Sequence, residues 1–242
     1  MAIGSDRRTM TPAQTRTAKI DVGLRSYMLR VYNYMSLGVA FTGAIALVVA
    51  SNVALVQSVA SFFWVFFIGI LGLGWVGPRI MMSKSVAAAQ ACFWVYALLW
   101  GSVIGPMLYV YGQIDPMLVP KAFFITAGAF AGMSLFGYTT KRNLGPIGAF
   151  LCMATFGILI ALLVNVFLIQ SAGFDLVLSV IVVLVFAGLT AYETQMIKNM
   201  YYEADGHDVT TRKAIFGAFM LYGAFVTLFI WILHIMGMMR GE

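Results

Sequence analysis

Residues 176–201 read LVLSVIVVLVFAGLTAYETQMIKNMY, and this stretch decides the class of the protein. No charged side chain occurs in it before Glu193, which lies close to the end of the apolar run. A helix rises about 1.5 Å per residue, so about 20 apolar residues cross the hydrocarbon core of a bilayer. We therefore predict a membrane-spanning helix over residues 176–191. An ionisable residue at such a boundary is costly, which makes Glu193 a candidate functional residue.

The composition of the whole chain is that of an integral membrane protein. Of its 242 residues, 62% are hydrophobic and 10% are charged, whereas soluble domains carry about 25% charged residues. The net charge of +6 does not indicate nucleic-acid binding, because the basic residues lie in tails and short loops rather than on one face. Cys92 and Cys152 each lie inside an apolar run and are interpreted as small hydrophobic residues.

Apolar runs of spanning length recur seven times along the chain. The predicted spans are residues 31–50, 55–76, 86–105, 122–138, 147–169, 176–191 and 214–238. Turn-forming residues separate them, such as Gly77-Pro78 and the proline-containing segment 105–120. The sequence thus predicts an all-α integral membrane protein, a bundle of seven transmembrane helices. Residues 1–30 are predicted to form a basic cytoplasmic N-terminal tail, and residues 31–242 the transmembrane domain.

The basic residues indicate how this bundle is oriented. Thirteen of the 15 Lys and Arg side chains fall in the N-terminal tail and in the loops after spans two, four and six. Only Lys121 and Arg240 fall on the other side. Basic loops are retained in the cytoplasm, so we predict a cytoplasmic N-terminus and an external C-terminus. A re-entrant last span would place both chain termini in the cytoplasm, and it would barely change the number of basic residues counted on each side.

Several membrane-embedded chemistries do not suit this pattern. An intramembrane serine protease needs a Ser–His pair, but the predicted topology separates Ser134 from His234 by about 20 Å. A seven-helix photoreceptor needs a buried Lys in its last span, and no Lys follows Lys213. A metal enzyme needs clustered ligands, and His207 and His234 are the only histidines. We therefore expect neither enzymatic activity nor a cofactor.

The polar residues within or beside the spans are the remaining candidates for function. They are Asn165 in the fifth span, Thr190 and Glu193 around the end of the sixth, and His234 in the seventh. Asp115 and Asp175 lie beside external loops and are interpreted as solvated or helix-starting acids. For Glu193 two interpretations stay open: a functional carboxylate, or one that reaches the interface or bonds to Lys198.

A set of short motifs resembles the Bax-inhibitor-motif family of membrane proteins. The motifs are TTKRNL at residues 139–144, Asn165, LTAYETQ at 189–195 and IKNMY at 197–201. The resemblance is dense from about residue 120 to residue 202, and the seven-span plan extends it over the whole chain. The order and spacing of the motifs, rather than any one of them, make the resemblance specific.

The resemblance implies a bundle in which the last helix is surrounded by the other six. It also implies activity as a pH-sensitive calcium leak channel, in which two carboxylates share a proton and an Arg from the second span latches the cytoplasmic mouth. By position, Glu193 takes the place of the first carboxylate and Arg79 that of the latch. The supporting polar residues would be Thr190, Asn165 and Lys198.

The second carboxylate of that pattern is missing from this chain. The family's Leu-Tyr-x-Asp-Phe is met by LYGAF at residues 221–225, so Ala224 stands where the acid is expected. Two carboxylates in contact titrate as a coupled pair, whereas a single one has no such partner. Glu193 alone also offers a calcium ion at most two oxygens, and calcium takes about six to eight.

Two functions from different classes therefore remain open. The first is a cation leak channel, carrying calcium or protons, with its gate at Glu193. The second is a non-conducting regulator that binds another membrane protein, such as a membrane protease or a cell-death or stress partner. The basic tail suits contact with such a partner or with anionic lipid. The 242-residue chain shows no targeting extension, and we expect it in a bacterial cytoplasmic membrane.

Overall fold

The computed structural model describes the backbone of residues 12–240 and the side chains of residues 22–240. Within that part of the chain, every regular element is helical. The helices are α1 (Pro12–Ala50), α2 (Val53–Ser61), α3 (Phe63–Ser83), α4 (Val86–Ile114), α5 (Leu118–Thr139), α6 (Gly145–Val164), α7 (Ala172–Asn199) and α8 (His207–Met238). A π-helical turn, Asn165–Ile169, prolongs α6. Of the predicted basic tail, Arg7 and Arg8, and the side chains of Arg16 and Lys19, lie outside the described residues.

Seven helical segments are long and apolar enough to cross a membrane, which confirms the predicted number of spans. They are Val22–Ala50, Phe63–Ser83, Val86–Ile114, Leu118–Thr139, Gly145–Ile169, Ala172–Asn199 and His207–Met238. Most of them extend beyond the predicted bounds. Hydropathy marks only the apolar part of a helix, whereas the helix itself continues through polar residues while neighbouring helices pack against it.

The second predicted span, residues 55–76, has the wrong bounds. The chain forms the short helix α2, breaks at Phe62, and then starts α3. Nine residues of α2 are too few to cross a bilayer, so α3 alone is the span. The break contains no polar residue, and a hydropathy pattern therefore gives no sign of it.

Two prolines that the sequence assigned to breaks lie inside helices. Pro78 lies within α3, five residues before its last residue, Ser83, and Pro106 lies within α4, which continues to Ile114. Proline removes one backbone hydrogen bond from a helix, yet membrane helices tolerate it because neighbouring groups satisfy the freed carbonyl. The predicted break at residues 77–78 is therefore wrong, and the break predicted within residues 105–120 is confined to residues 115–117, between α4 and α5.

The two ends of the bundle differ in charge. We call the end with the connections at residues 84–85, 140–144 and 200–206 the basic end, and the other the opposite end. Helix α8 runs unbroken between them over 32 residues, a length of about 48 Å. A re-entrant last span is thereby excluded, and both ends of α8 contact the remaining helices.

Helix α8 is the core of the fold. About two thirds of its most apolar window is buried inside the protein, more than in any other span. It packs against α1, α3, α4, α5 and α7. The expectation of a central last helix is thereby confirmed, although helix α6 lies mainly against α7. Burial of α8 places Leu221, Tyr222 and Ala224 in the interior.

Helices α1 and α4 approach each other closely through two glycines. An added Cβ at Gly101 would come within 2.9 Å of the Thr42 carbonyl oxygen, and one at Gly105 within 2.5 Å of the Val49 side chain. These positions form a G-x-x-x-G sequence, the spacing that lets two membrane helices pack backbone against backbone. The close packing holds α1 and α4 together on one side of α8.

Candidate functional site

Glu193 lies inside α7 and not at its end. The helix continues for six more residues, to Asn199, so the predicted end of this span at residue 191 is wrong. The Oε2 atom of Glu193 is fully covered and has no hydrogen-bond partner within the described part of the protein. An unpaired buried polar atom costs about 1–3 kcal/mol. Such an atom in a native structure requires an explanation, and a bound proton or cation is one.

The backbone beside Glu193 is held by a close contact between α5 and α7. A Cβ added at Gly137 on α5 would overlap the backbone of Ala191, with the carbonyl oxygen nearest. Only glycine allows the two helices to come so close at this level. The position of Glu193, two residues further along α7, therefore depends on a glycine in another helix.

A chain of hydroxyl groups reaches α7 next to Glu193. The Tyr32 hydroxyl lies 2.5 Å from Ser134 Oγ, and Ser134 Oγ lies 3.0 Å from Thr194 Oγ1. Thr194 Oγ1 also donates to the Thr190 carbonyl at 2.8 Å. Ser134 on α5 thereby joins α1 to α7 by hydrogen bonds. The sequence analysis did not identify Tyr32 and Thr194. Hydroxyl residues inside apolar spans are the signal that could have drawn attention to them, but the sequence does not show which of these residues meet.

The hydroxyl chain starts at the wall of the largest cavity described. This groove of about 1140 Å³ lies between α1 and α5, with Phe225 of α8 at its side. Its walls are apolar apart from a few groups, which include Arg25 near the basic end and Tyr32 and Ser134 further along. The groove therefore reaches Ser134, whose hydroxyl group bonds directly to Thr194 of α7.

Aromatic residues close the other side of the site. The Tyr96 phenol on α4 lies within electrostatic range of the Glu193 carboxylate. Its hydroxyl oxygen would be 3.9 Å from a Cβ at Gly223, the residue before Ala224. Ala224 itself is buried. The position where the family pattern expects a second carboxylate thus lies in the interior, one residue after the glycine that faces this tyrosine.

Lys198 does not pair with Glu193. Its Nζ donates to the Tyr138 carbonyl at 2.8 Å, at the last turn of α5, and lies 4.9 Å from the centroid of the Tyr138 ring. The interpretation in which Lys198 neutralises Glu193 is therefore wrong in this structure. A cation at the last turn of a helix satisfies free carbonyls and interacts favourably with the helix dipole.

Other side chains at the basic end repeat this arrangement. Arg212 Nη1 donates to the Met82 and Lys84 carbonyls at 2.8 and 2.9 Å, at the end of α3. Lys213 Nζ donates to the Met200 carbonyl at 3.0 Å, at the end of α7. The basic residues that predicted the orientation also tie the helix ends of this side together.

Arg79, the predicted latch, does not meet Glu193. It lies exposed on α3, and no ion pair joins it to a carboxylate among residues 22–240. A latch between the two residues would require α3 to move relative to α7. The structure therefore ends the hydroxyl chain at Thr194, the residue next to Glu193, and leaves Arg79 apart from both.

Two supporting polar residues have local partners. Asn165 is buried at the opposite end, where its Oδ1 accepts from the Ser171 N–H at 3.2 Å and its carbonyl accepts from the Gln170 N–H at 2.7 Å. It thereby closes the turn around Gln170, whose φ of 51° is left-handed. Thr190 is also buried and donates to the Phe186 carbonyl at 2.8 Å within its own helix. Asn165 is separated from Glu193 by most of the length of α7.

The opposite end carries its own polar cluster. His234 Nε2 lies 2.8 Å from Asp175 Oδ2, and the Tyr111 hydroxyl lies 3.0 Å from His234 Nδ1. Asp175 stands in the first turn of α7, and Asp115 accepts from the Met117 N–H at 2.8 Å at the start of α5. Asp175 is therefore a helix-starting acid, one of the two predicted interpretations. Asp115 lies at the C-cap of α4 and pairs with Arg240, which the sequence did not predict.

Ser134 and His234, the pair that a serine protease would require, have different partners. Ser134 contacts Tyr32 and Thr194, whereas His234 contacts Asp175 and Tyr111 at the opposite end. The predicted separation of Ser134 from His234 is confirmed. Within residues 22–240, no cluster of three or more His, Cys, Asp or Glu residues is placed to hold a metal ion.

Known proteins resemble the chain over nearly its whole length. Residues 24–241 match the model of the family described as "Inhibitor of apoptosis-promoting Bax1". The chain is 36% identical to an uncharacterised protein of Rickettsia prowazekii, over 95% of this chain and 98% of the relative. It is also 36% identical to the inner membrane protein YbhL of Escherichia coli, over 90% and 94%. An uncharacterised protein of Deinococcus radiodurans is 35% identical, over 92% and 94%.

Proposed function

The chain belongs to the Bax-inhibitor family of membrane proteins, and on that premise we propose that it is a cation leak pathway controlled at Glu193. The observation that carries the proposal is the fully covered Oε2 atom of Glu193, which lies inside a membrane-spanning helix and has no partner within the part of the chain that the structure describes. Ionisable groups at that depth mark ion or proton paths more often than they stabilise a fold. The protein is an integral membrane protein with seven spans.

The proposed path leads from the groove between α1 and α5 to Glu193. Tyr32 and Ser134 line the groove, and Ser134 bonds to Thr194, the neighbour of Glu193 on α7. Hydroxyl groups accept and donate protons, and their oxygens also bind cations. A cation or proton that enters the groove therefore meets hydroxyl oxygens before it reaches the carboxylate.

The orientation in this proposal follows the basic residues. Their excess at the end with residues 84–85, 140–144 and 200–206 places that end in the cytoplasm, together with the N-terminus. We place the protein in a bacterial cytoplasmic membrane, since its relative in Escherichia coli is an inner membrane protein. Glu193 then lies on the cytoplasmic side of the membrane centre.

The transported ion is proposed to be a proton or calcium. Glu193 provides at most two oxygens, and Thr194 and the Thr190 carbonyl lie in the same turn of α7. Since calcium takes about six to eight oxygens, water must complete its shell at this site. The site therefore suits weak binding and passage better than tight calcium binding. For Arg79, a latch function requires a second conformation in which α3 brings it to Glu193.

Replacement of Glu193 by glutamine tests the proposal. The change keeps the shape of the side chain but removes its charge and its titration, so calcium and proton flux should fall by about tenfold or more, given the cost of removing a charged ligand. Flux is measured in liposomes that contain the purified protein, at several pH values between 5 and 8. Glu203→Gln, which makes the same change at an exposed loop residue, is the matched control.

Equal flux from Glu193→Gln and the unchanged protein over that pH range would remove Glu193 from the pathway. A loss in both Glu193→Gln and Glu203→Gln would show only sensitivity to net charge. Loss in the first variant alone, with unchanged behaviour on size-exclusion chromatography, supports the carboxylate as the gate.

A non-conducting regulator is the second candidate function. Ala224 is buried where the family pattern has its second carboxylate, so the chain lacks a feature associated with conduction in that family. In this case the basic tail would contact a membrane protease or another membrane partner. Deletion of residues 2–21 keeps the whole first span, Val22–Ala50, and should abolish co-purification of the partner. Unchanged co-purification would show that the tail is not the contact site.

A further inference from the structure

A second cavity at the basic end has a chemistry unlike that of the groove. It has a volume of about 580 Å³ and lies where α1 meets the first turns of α4 and α8. Its lining consists of Arg30, Asn33, Tyr34, Leu37, Val86, Gln90, His207 and Thr211. Neither the leak pathway nor the family motifs use any of these residues.

The polar side chains that line this cavity all have hydrogen atoms to donate. Arg30 supplies a permanent cation, Asn33 and Gln90 supply amide N–H groups, and Tyr34 and Thr211 supply hydroxyl groups. His207 adds a ring N–H in either protonation state. No carboxylate belongs to the lining. Such a set of donors around one guanidinium favours an anion and disfavours a cation.

Internal contacts leave much of this donor capacity unused. Among residues 22–240, Arg30 makes one bond, from Nη1 to Thr211 Oγ1 at 3.2 Å, although a guanidinium has five N–H donors. Gln90 Nε2 donates to the Tyr34 hydroxyl at 3.4 Å. These bonds orient Arg30 and Gln90 towards the same space. The remaining guanidinium donors can therefore bind two oxygens of one ligand, as they do in arginine–phosphate pairs.

Nearby charges do not cancel the positive field of the cavity. Asp205 is engaged with Lys213 at 2.5 Å, and Asp208 is exposed in the first turn of α8 outside the lining. The first turn of α8 adds backbone N–H groups with a partial positive charge, since Gly206 at the start of α8 has no side chain to cap them. This contribution is secondary to that of Arg30.

The apolar part of the lining faces the membrane. Leu37 is 57% exposed on α1, about one turn beyond Asn33 towards the middle of the span. A polar cavity at the level of Arg30 with an exposed leucine above it resembles a headgroup site with space for the start of an acyl chain. The cavity is smaller than the groove, and its volume lies within the roughly 300–1,000 Å³ of ligand pockets.

We propose that the cavity between α1, α4 and α8 binds a phosphate group through Arg30, Gln90 and His207, presented either by an anionic phospholipid or by a free phosphate compound. A phosphate there contacts the start of the central helix α8 together with α1 and α4. It therefore adds a further link between three helices that the Arg30–Thr211 and Gln90–Tyr34 hydrogen bonds already join at this end. The site is independent of the leak pathway, since it shares no residue with the groove or with Glu193.

Binding is measured on the purified full-length protein by two assays. Thermal unfolding in detergent is followed with inorganic phosphate added at a constant ionic strength that chloride maintains. In parallel, the protein is placed in nanodiscs of phosphatidylcholine with and without phosphatidylglycerol, and the lipid retained after extraction is identified by native mass spectrometry. Arg30→Gln should weaken binding by about tenfold or more, because a charge-assisted hydrogen bond contributes about 1.5–3 kcal/mol. Gln90→Leu, which keeps Arg30, should weaken it less.

Arg25→Gln is the matched control, since Arg25 lies on the same helix but lines the groove instead of this cavity. Stabilisation by inorganic phosphate that Arg30→Gln abolishes and Arg25→Gln preserves supports the site and identifies a free phosphate compound as sufficient. Selective retention of phosphatidylglycerol with the same mutational pattern identifies the phospholipid. Equal effects of Arg30→Gln and Arg25→Gln would overturn the proposal in favour of general surface charge. Absence of both stabilisation and retention in the unchanged protein would overturn it outright.

Discussion

Replacement of Gly137 by alanine is expected to separate α5 from α7 and to lower the stability of the whole bundle. The new Cβ would overlap the backbone of Ala191, which cannot move aside as a flexible side chain can. Overpacking costs about 1–3 kcal/mol, and a rigid target places this change at the upper end of that range. For a chain of this size we expect the unfolding temperature to fall by about 6–12 °C.

The same helix provides the control for this experiment. Gly132 on α5 has no atom within 4 Å of an added Cβ, so Gly132→Ala introduces the same methyl group into open space. Alanine favours helix over glycine by about 1 kcal/mol, and the control should therefore be neutral or slightly more stable. Unfolding of Gly137→Ala and Gly132→Ala at the same temperature would show that α5 and α7 are not in close contact at this level.

The separation should also disturb the candidate site. The bond between Ser134 and Thr194 joins the same two helices, at 3.0 Å, three residues away from the glycine on α5. If the hydroxyl chain serves the leak pathway, the flux per folded protein in Gly137→Ala should fall together with its stability. A bundle that keeps its full flux after loss of this contact would conduct by another route.

Restoration of a carboxylate at residue 224 is the second change with a large expected effect. In Ala224→Asp, the new acid replaces a buried residue of α8 at the position where the family pattern has its second carboxylate. With Glu193 it would supply two carboxylates, which titrate as a pair and bind a divalent cation better than one. We expect calcium flux about tenfold higher than in the unchanged protein and a steeper dependence on pH between 5 and 8.

Ala224→Asn separates the effect of charge from that of volume. The asparagine has the size of the aspartate and adds a buried polar group, but it carries no charge and does not titrate in this range. A buried acid is costly in a membrane protein, so both variants must first be shown to be folded and monodisperse. Identical flux and pH profiles for Ala224→Asp and Ala224→Asn would contradict the view that a second carboxylate at this position completes an ion site.

Much of the architecture could be predicted from the sequence, because the number of spans depends on the length and the hydropathy of continuous segments. Seven apolar runs of sufficient length predict seven spans, whatever their mutual arrangement. The bounds were less predictable, since the break at Phe62 contains no polar residue and α7 continues past Glu193 to Asn199. Prolines 78 and 106 misled for a related reason: the neighbours that let a membrane helix continue are not visible in a one-dimensional pattern.

The candidate site could be predicted only in part. A carboxylate after a long uncharged run identifies Glu193 without any structure. Its surroundings could not be derived, because Tyr32, Ser134 and Thr194 lie on three helices separated by about 60 to 100 positions. The sequence also suggested Lys198 as its neighbour, since the two residues are five positions apart, but the Lys198 side chain extends to the Tyr138 carbonyl on α5.

The sequence by itself determined that this is a membrane protein, how many spans it has and that one acid lies near the end of the sixth span. It could do so because hydrophobicity and charge are properties of each residue. The tertiary structure decided which polar groups form hydrogen bonds with each other and which remain without a partner. Glycine contacts such as the one between Gly137 and Ala191 set the distances between helices, and these distances determine which polar groups meet. They bring Asp175 to His234 and leave Glu193 Oε2 without a partner within the described residues.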